Sequence, residues 1–250
     1  ETAALATSGD GDTPRGLVET WNGSAWTETT DLNTGRANLA SCGTVPAGMI
    51  FGGPVSGGGK TELWNGSAWT ETTDFSTARE VSNNGAGTTN SSALASAGFA
   101  STYSAATEEF TGAGADIGAW ATGTAMNNAR KDGAGAGSYP AGLAISGDSA
   151  TGSISNVESW DGSTWTEVGD VNTNRDAFAG GGTSTSALAT GGNNPPITNN
   201  ESWNGSSWTE VGDINTGRRG LRGAGADNTS AIVFGGFPPN VVDTESWNGT

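Results

Sequence analysis

A ten-residue phrase, Glu-Ser-Trp-Asn-Gly-Ser-Ser-Trp-Thr-Glu at 201–210, returns along this chain with small changes. It reads ETWNGSAWTE at 19–28, ELWNGSAWTE at 62–71 and ESWDGSTWTE at 158–167. A degraded copy lies between Glu108 and Thr122, and ESWNGT stands at 245–250. Repetition constrains the fold more than any other feature. Each copy must be one supersecondary unit that buries its apolar face against its neighbours. Asn-Gly or Asp-Gly between two short alternating segments is the strongest short-range hairpin signal, because both residues tolerate positive φ. A four-residue connection places Trp203 opposite Trp208, whereas a two-residue Asn-Gly turn offsets them. The register stays open at this stage. Either way two indoles lie close in each hairpin, and packing is the expected role of these tryptophans. Sugar-stacking platforms are the alternative.

Fixed landmarks set the phase. The first hairpin aromatic falls at Trp21, Trp64, Phe110, Trp160, Trp203 and Trp247, at intervals of 43, 46, 50, 43 and 44 residues. The second falls at Trp26, Trp69, Trp120, Trp165 and Trp208, and ten residues after each comes an arginine: Arg36, Arg79, Arg130, Arg175 and Arg218. A glycine ends an apolar run at Gly9, Gly53, Gly98, Gly147, Gly192 and Gly236. One unit therefore reads as a small-residue strand (220–226), an apolar strand (231–234), a variable loop, a strand with Glu245 and Trp247, and a strand carrying the second Trp. Four short strands in about 44 residues is the period of a propeller blade. No apolar stripe of helical period persists. Segments such as Gly133-Ala134-Gly135-Ala136-Gly137 have almost no side chain, as strands converging on a central axis require. The fold class expected is all-β, a β-propeller of four-stranded blades, six of them, with seven as the alternative. The blade units run about 1–35, 36–78, 79–129, 130–174, 175–217 and 218–250 within one domain, 1–250.

These residues resemble kelch-type β-propeller repeats. The Gly-Gly after an apolar strand (Gly52-Gly53, Gly191-Gly192, Gly235-Gly236), the Glu-x-aromatic strand, the later Trp and the following Arg match that family's spacing. The kelch tyrosine of the third strand is here Trp or Phe. The wording Trp-Asn-Gly-Ser-x-Trp with Asp-x-Asn-Thr-x-Arg is also similar to kelch-like repeats in virion proteins of marine bacteriophages. By the family's phase the chain opens on a second strand and stops on a third. Both ends look cut, and a fragment of a longer polypeptide is expected. About 20 further residues would supply the remaining fourth and first strands. The resemblance brings in a copper oxidase with His ligands and a Cys–Tyr cofactor, but this chain has no His and only Tyr103 and Tyr139. That chemistry is not expected of it. The Asp-Gly hairpin at 159–165 is one residue short of the sialidase Asp-box.

Charge narrows the partners. Ten basic residues face 26 acidic ones, a net charge of −16, which disfavours nucleic acid and anionic lipid. No apolar run approaches the roughly 20 residues of a membrane span. Cys42 is alone, so no intrachain disulfide forms, and its small apolar context suggests burial. Without histidine the commonest general base and transition-metal ligand is missing. No cofactor is expected.

Glu19, Glu62, Glu108, Glu158, Glu201 and Glu245 hold one position in every unit, and Glu28, Glu71, Glu167 and Glu210 hold another. Pairing with the repeated arginines or with backbone amides is the preferred reading. Bound Ca²⁺ and acid–base chemistry are the alternatives. A site repeated in every blade is rarely catalytic, because catalysis needs one asymmetric constellation. In Asp-x-Asn-Thr-x-Arg the Asp and Asn are expected to bond their own backbone and set the crossing between blades. Blade three departs most, with Phe110, with Ala125 for the Asp found at 31, 74, 170 and 213, and with a longer hairpin at 111–119. Drift is the preferred reading there. The loops after each second strand (9–16, 53–61, 98–107, 147–156, 192–200 and 236–243) differ while the scaffold repeats, which marks them as the contact surface.

The function expected is that of a non-enzymatic, virion-borne or extracellular module, a tail-fibre or surface protein presenting loops for adhesion. Its partner would be a cell-surface glycan or protein, or other virion proteins. A multivalent lectin with equal pockets between blades is one alternative. A carbohydrate-active enzyme with catalytic residues outside this stretch is another.

Overall fold

The structure is a computed structural model that describes residues 3–9, 15–54, 59–82, 85–112, 118–193, 195–239 and 241–250. It is a six-bladed β-propeller, with antiparallel sheets in chain order around one axis and no helix among the described residues. Blade one holds Ala4–Gly9 (β1), Arg15–Trp21 (β2) and Trp26–Glu28 (β3). Blade two holds Leu39–Thr44 (β4), Ala47–Gly52 (β5), Thr61–Trp64 (β6) and Trp69–Glu71 (β7). Blade three holds Gly85–Thr89 (β8), Ser92–Ser96 (β9), Thr107–Thr111 (β10) and Ala119–Thr122 (β11). Blade four holds Ala134–Ser138 (β12), Ala141–Ser149 (β13), Gly152–Trp160 (β14) and Trp165–Val168 (β15). Blade five holds Ala179–Thr183 (β16), Ser186–Thr190 (β17), Asn200–Trp203 (β18) and Trp208–Val211 (β19). Blade six holds Arg222–Asp227 (β20), Ser230–Phe234 (β21) and Thr244–Trp247 (β22). Four sheets have four strands, while the first and last have three.

The period of two on the second strand sends side chains to opposite neighbours. On β5, Met49 and Phe51 join a cluster with Ala93, Ala95 and Phe110 of blade three, while Ile50 joins Val18 and Leu32 on the blade-one side. The core is thus a set of separate clusters between blades. Small residues on the first strands let the sheets meet at the axis. A Cβ added to Gly180 would lie 2.5 Å from the Ala134 Cβ of the preceding blade.

The ring closes through one contact that recurs. Trp120 and Trp165 each donate their indole N–H across to a threonine on the preceding blade, Thr61 and Thr107. Trp26 of blade one makes the same bond to Thr244 of blade six, at 3.2 Å, and its ring lies 5.0 Å from Phe234. The seven-bladed alternative is therefore set aside.

The hairpin register resolves in favour of four-residue connections, with Trp203 opposite Trp208 and Trp64 opposite Trp69, while blade three keeps Phe110 opposite Trp120 across a longer connection. Only the glycine of Asn-Gly takes positive φ, as at Gly205 (94°). Asn204 instead uses its Oδ1 to accept the N–H groups of Ser206 and Ser207. The loop expected at 147–156 is a correction. β13 and β14 extend through it, pairing Asp148 with Ser153 and Ser149 with Gly152.

Candidate functional site

The repeated arginines and glutamates form one staple in each of blades two to five. Arg36 at the entrance to blade two donates Nε–H to the Gly52 carbonyl and Nη1–H to Glu62, 2.5 Å away. Arg79 bonds Ala97 O and Glu108 in the same way. Arg130 bonds Ser146 O, Asn156 O and Glu158, and Arg175 bonds Ala189 O, Gly191 O, Asn199 O and Glu201. These four arginines are at most 3% exposed and their glutamates at most 1%. Burial pushes Arg130 and Arg175 below the ordinary guanidinium value, opposed by Glu158 and Glu201. Both remain charged at any ordinary pH.

The glycines belong to the same staple. Gly53, Gly98, Gly147 and Gly192 all have positive φ, and their N–H groups donate to the carbonyls of Arg79, Arg130, Arg175 and Arg218 of the following blade. A Cβ at Gly192 would lie 2.6 Å from Asp176 O. Bare backbone is what lets the segment after Arg175 lie against Gly192 within the blade.

The Asp-x-Asn-Thr-x-Arg reading is corrected. The Asn side chain reaches the next blade's carboxylate, not its own backbone. Asn33 donates both its backbone N–H and its Nδ2–H to Glu62 Oε2 at 2.9 Å, and a second Nδ2–H to Trp69 O. Asn127, Asn172 and Asn215 serve Glu158, Glu201 and Glu245. Ser76 replaces Asn in front of blade three and still holds Glu108. Asp170 and Asp213 accept hydroxyls from Ser155 and Thr198. The residue three before each Arg thus keeps its expected place at the crossing but bonds the following blade instead of its own backbone.

The tryptophans are wall residues. Trp64, Trp69, Trp160, Trp165, Trp203 and Trp208 are buried, while Trp21, Trp26, Trp120 and Trp247 are partly exposed. Paired rings lie 5.2–5.4 Å apart, worth about 0.5–1.5 kcal/mol per pair beyond burial. The second glutamates face solvent, with Glu71 bonded to Lys60, Glu167 to Asn156 and Glu210 to Asn199. No cluster of three or more metal-ligating side chains occurs among the described residues.

Two surfaces remain. The central channel holds a cavity of about 480 Å³ lined by Gly and Ala of the inner strands, with Thr44, Thr88, Ser138 and Thr183 at its mouth. Cys42 is its one titratable side chain among the described residues; it is half-buried rather than buried, and desolvation pushes its thiol up to about 12. It offers no acid–base pair.

The second surface is the rim that carries the loops after the second strands. There the residue after three of the repeated arginines pairs with the residue after the second glycine: Glu80 with Phe99, Lys131 with Asp148, and Arg219 with Phe237. Asp176 and Asn193 meet likewise, with Asn193 N–H donating to Asp176 O at 2.9 Å. The backbone geometry repeats at these four positions while the side chains change at each. The Lys131 ammonium sits 5.4 Å from the Phe99 ring centre and 5.9 Å from that of Tyr103. Tyr103 donates its hydroxyl to Asp148 at 2.8 Å, which raises its phenol above the ordinary value. Arg219 lies over Phe237, which is 46% exposed. Parts of the loops at 9–16, 53–61, 192–200 and 236–243, and of the hairpin at 111–119, lie outside the described residues. Among the described residues no helix is long and apolar enough to cross a membrane. No protein-family model and no curated protein sequence matches this chain.

Proposed function

We propose that this protein is a non-enzymatic recognition module that adheres, through one rim of its propeller, to a cell-surface glycan or protein. One observation carries the reading. A single backbone pairing, repeated at successive junctions, displays Glu80/Phe99, Lys131/Asp148, Asp176/Asn193 and Arg219/Phe237. A scaffold held constant beneath side chains that all differ is the arrangement recognition uses. The rim also offers aromatic faces beside charges, which suit stacking on sugars or anchoring in a protein pocket. The repeated Trp, Arg and Glu are engaged in the wall, which favours one asymmetric surface over equal lectin pockets.

The test is binding of the purified chain to a glycan array and to intact cells, compared with a Phe237→Ala/Arg219→Ala variant and a Tyr103→Ala variant. At least one rim variant is expected to lose about tenfold in affinity at unchanged melting temperature. Undiminished binding by both, or several equal sites per chain, refutes the reading. Placement on a virion appendage rests on the wording of the repeat. Antibody labelling of particles tests it separately.

A further inference from the structure

We propose that the rim corner between blades three and four binds the primary ammonium group of an amino sugar, and that Lys131 occupies it as a built-in stand-in. The site rests on the adhesive reading for the source of that sugar, and on its own geometry for the rest. Two braced pieces form the corner. The loop after β9 folds back on itself, with Phe99 bridged to both Glu80 and Tyr103, and Ser104 bridged to Arg130. Beside it stands the arm made by the extended β13 and β14. Lys131 and Asp148 pair there through both backbone N–H groups, at 2.9 and 2.8 Å. Ser153 ties the arm to blade five by donating its hydroxyl to Asp176. Walls fixed by backbone bonds hold a site ready before any ligand arrives.

The side chains in the corner suit an ammonium. The Phe99 and Tyr103 rings stand at 79° with their centres 5.8 Å apart. The Lys131 ammonium lies 5.4 Å from one centre and 5.9 Å from the other, and 3.3 Å from the Asp132 carboxylate. Asp148 accepts the Tyr103 hydroxyl, which places a second carboxylate behind the rings. Desolvation lowers the Lys131 ammonium, but Asp132 and then Asp148 outweigh it and hold it above the ordinary lysine value. Ring faces attract the cation, while the carboxylates accept its N–H groups. A quaternary ammonium would leave those acceptors without donors. The corner is not repeated around the rim: its counterpart in blade five is the ring-free pair Asp176 and Asn193. Lys131 and Asp132 side chains are each 31% exposed, so the ammonium can swing into water on its flexible stem. Two aromatic faces and two carboxylates then stand open. An amino sugar meets all of them, with its C–H face on a ring, its ammonium between the carboxylates and its hydroxyls donating to them. A lysine from a partner protein brings the charge but no ring face.

The experiment is calorimetric titration of the whole chain with glucosamine. A site filled by its own side chain binds more weakly by the fraction of time that it is filled. Lys131→Ala should therefore bind glucosamine about tenfold more tightly than the parent. Adding Tyr103→Ala should abolish that gain. N-acetylglucosamine keeps the sugar ring but not the charge, and should bind neither protein measurably. Melting temperatures without sugar verify the fold, and Lys131→Ser repeats the test should alanine disturb it. Weaker or unchanged glucosamine binding by both Lys131 variants overturns the proposal, because Lys131 is then no stand-in. So does equal binding of N-acetylglucosamine. Tighter binding of Nα-acetyl-lysine amide than of glucosamine also overturns it, by making the corner a site for a protein side chain. Cell adhesion separates the two readings. Adhesion lost in Tyr103→Ala without glucosamine binding sinks the ammonium site alone. Glucosamine binding as expected, with adhesion indifferent to every rim variant, sinks the adhesive reading alone.

Discussion

Replacing Arg175 by Met asks whether a buried guanidinium holds a blade junction together. Arg175 is fully buried and donates to the carbonyls of Thr173, Ala189, Gly191 and Asn199 as well as to Glu201. Met has a comparable length, so little volume is lost. What goes is the charge, and Glu201 is left at 1% exposure with Asn172 and the Thr173 N–H as its remaining donors. Removing one partner of such a pair costs about 3–5 kcal/mol. In a chain of this length that is a fall of about 6–20 °C in melting temperature. Adding Glu201→Met removes the stranded carboxylate and should restore most of the loss, since apolar substitutes for a buried pair are often neutral. A deficit of about 1–3 kcal/mol should persist, because the Gly191 carbonyl loses the Arg175 N–H, whereas that of Asn199 keeps the Gly191 N–H. Urea denaturation of the parent, both single variants and the double closes the cycle. Arg218→Met should cost less than Arg175→Met, because Glu245 is 18% exposed and Arg218 lacks the carbonyl bonds. An Arg175→Met protein within about 1 kcal/mol of the parent would refute this reasoning. So would a double variant no more stable than the single ones.

Gly192→Ala should destabilise by about 2 kcal/mol or more, since φ is 98° and the new Cβ meets Asp176 O at 2.6 Å. Gly152→Ala, at φ 110° with nothing within 4 Å, should cost only about 1 kcal/mol of backbone strain, and thermal melts of the two measure the gap. With its thiol raised to about 12, Cys42 should react with a disulfide reagent at pH 8 at least about tenfold more slowly in the native chain than in the denatured one; equal rates would show that burial does not protect it. The Asp161 carboxyl is held down at about 2, first by the Thr164 N–H and then by Ser163. A carboxyl lower in the folded state than its ordinary 3.8 stabilises above that value and loses its contribution as pH falls towards 2. Asp161→Asn should therefore shrink the drop in melting temperature between pH 4 and pH 2.

Phase and blade number were legible because landmarks recur at fixed offsets, so that Trp and the Arg ten residues later announce each unit even where Phe110 replaces Trp. The hairpin register was not legible. Asn-Gly serves two-residue and four-residue loops alike, and what decides is Asn204 Oδ1 capturing two N–H groups beyond the glycine. The role of Asn33 was hidden for a related reason. Asn is a strong turn former, and its carboxylate partner lies 29 residues away on another blade. The rim pairs were invisible because their regularity lies in the backbone while their side chains share no pattern. The extension of β13 and β14 was missed because Gly147 and Gly152 read as loop.

The staples straddle sheet borders, and this sets where the array can be cut. A segment running from Asn33 to Phe75 contains Asn33, Arg36, Gly52 and Glu62, so each side-chain partner travels with its mate. Of the staple's own bonds only the Gly53 N–H reaches forward, and it binds a main-chain carbonyl that any following copy would offer. A segment cut at the sheet border, from Leu39, would strand Glu62 without its cation. The interchangeable piece is therefore offset from the visible blade, beginning in the crossing, and copies joined there keep every staple intact.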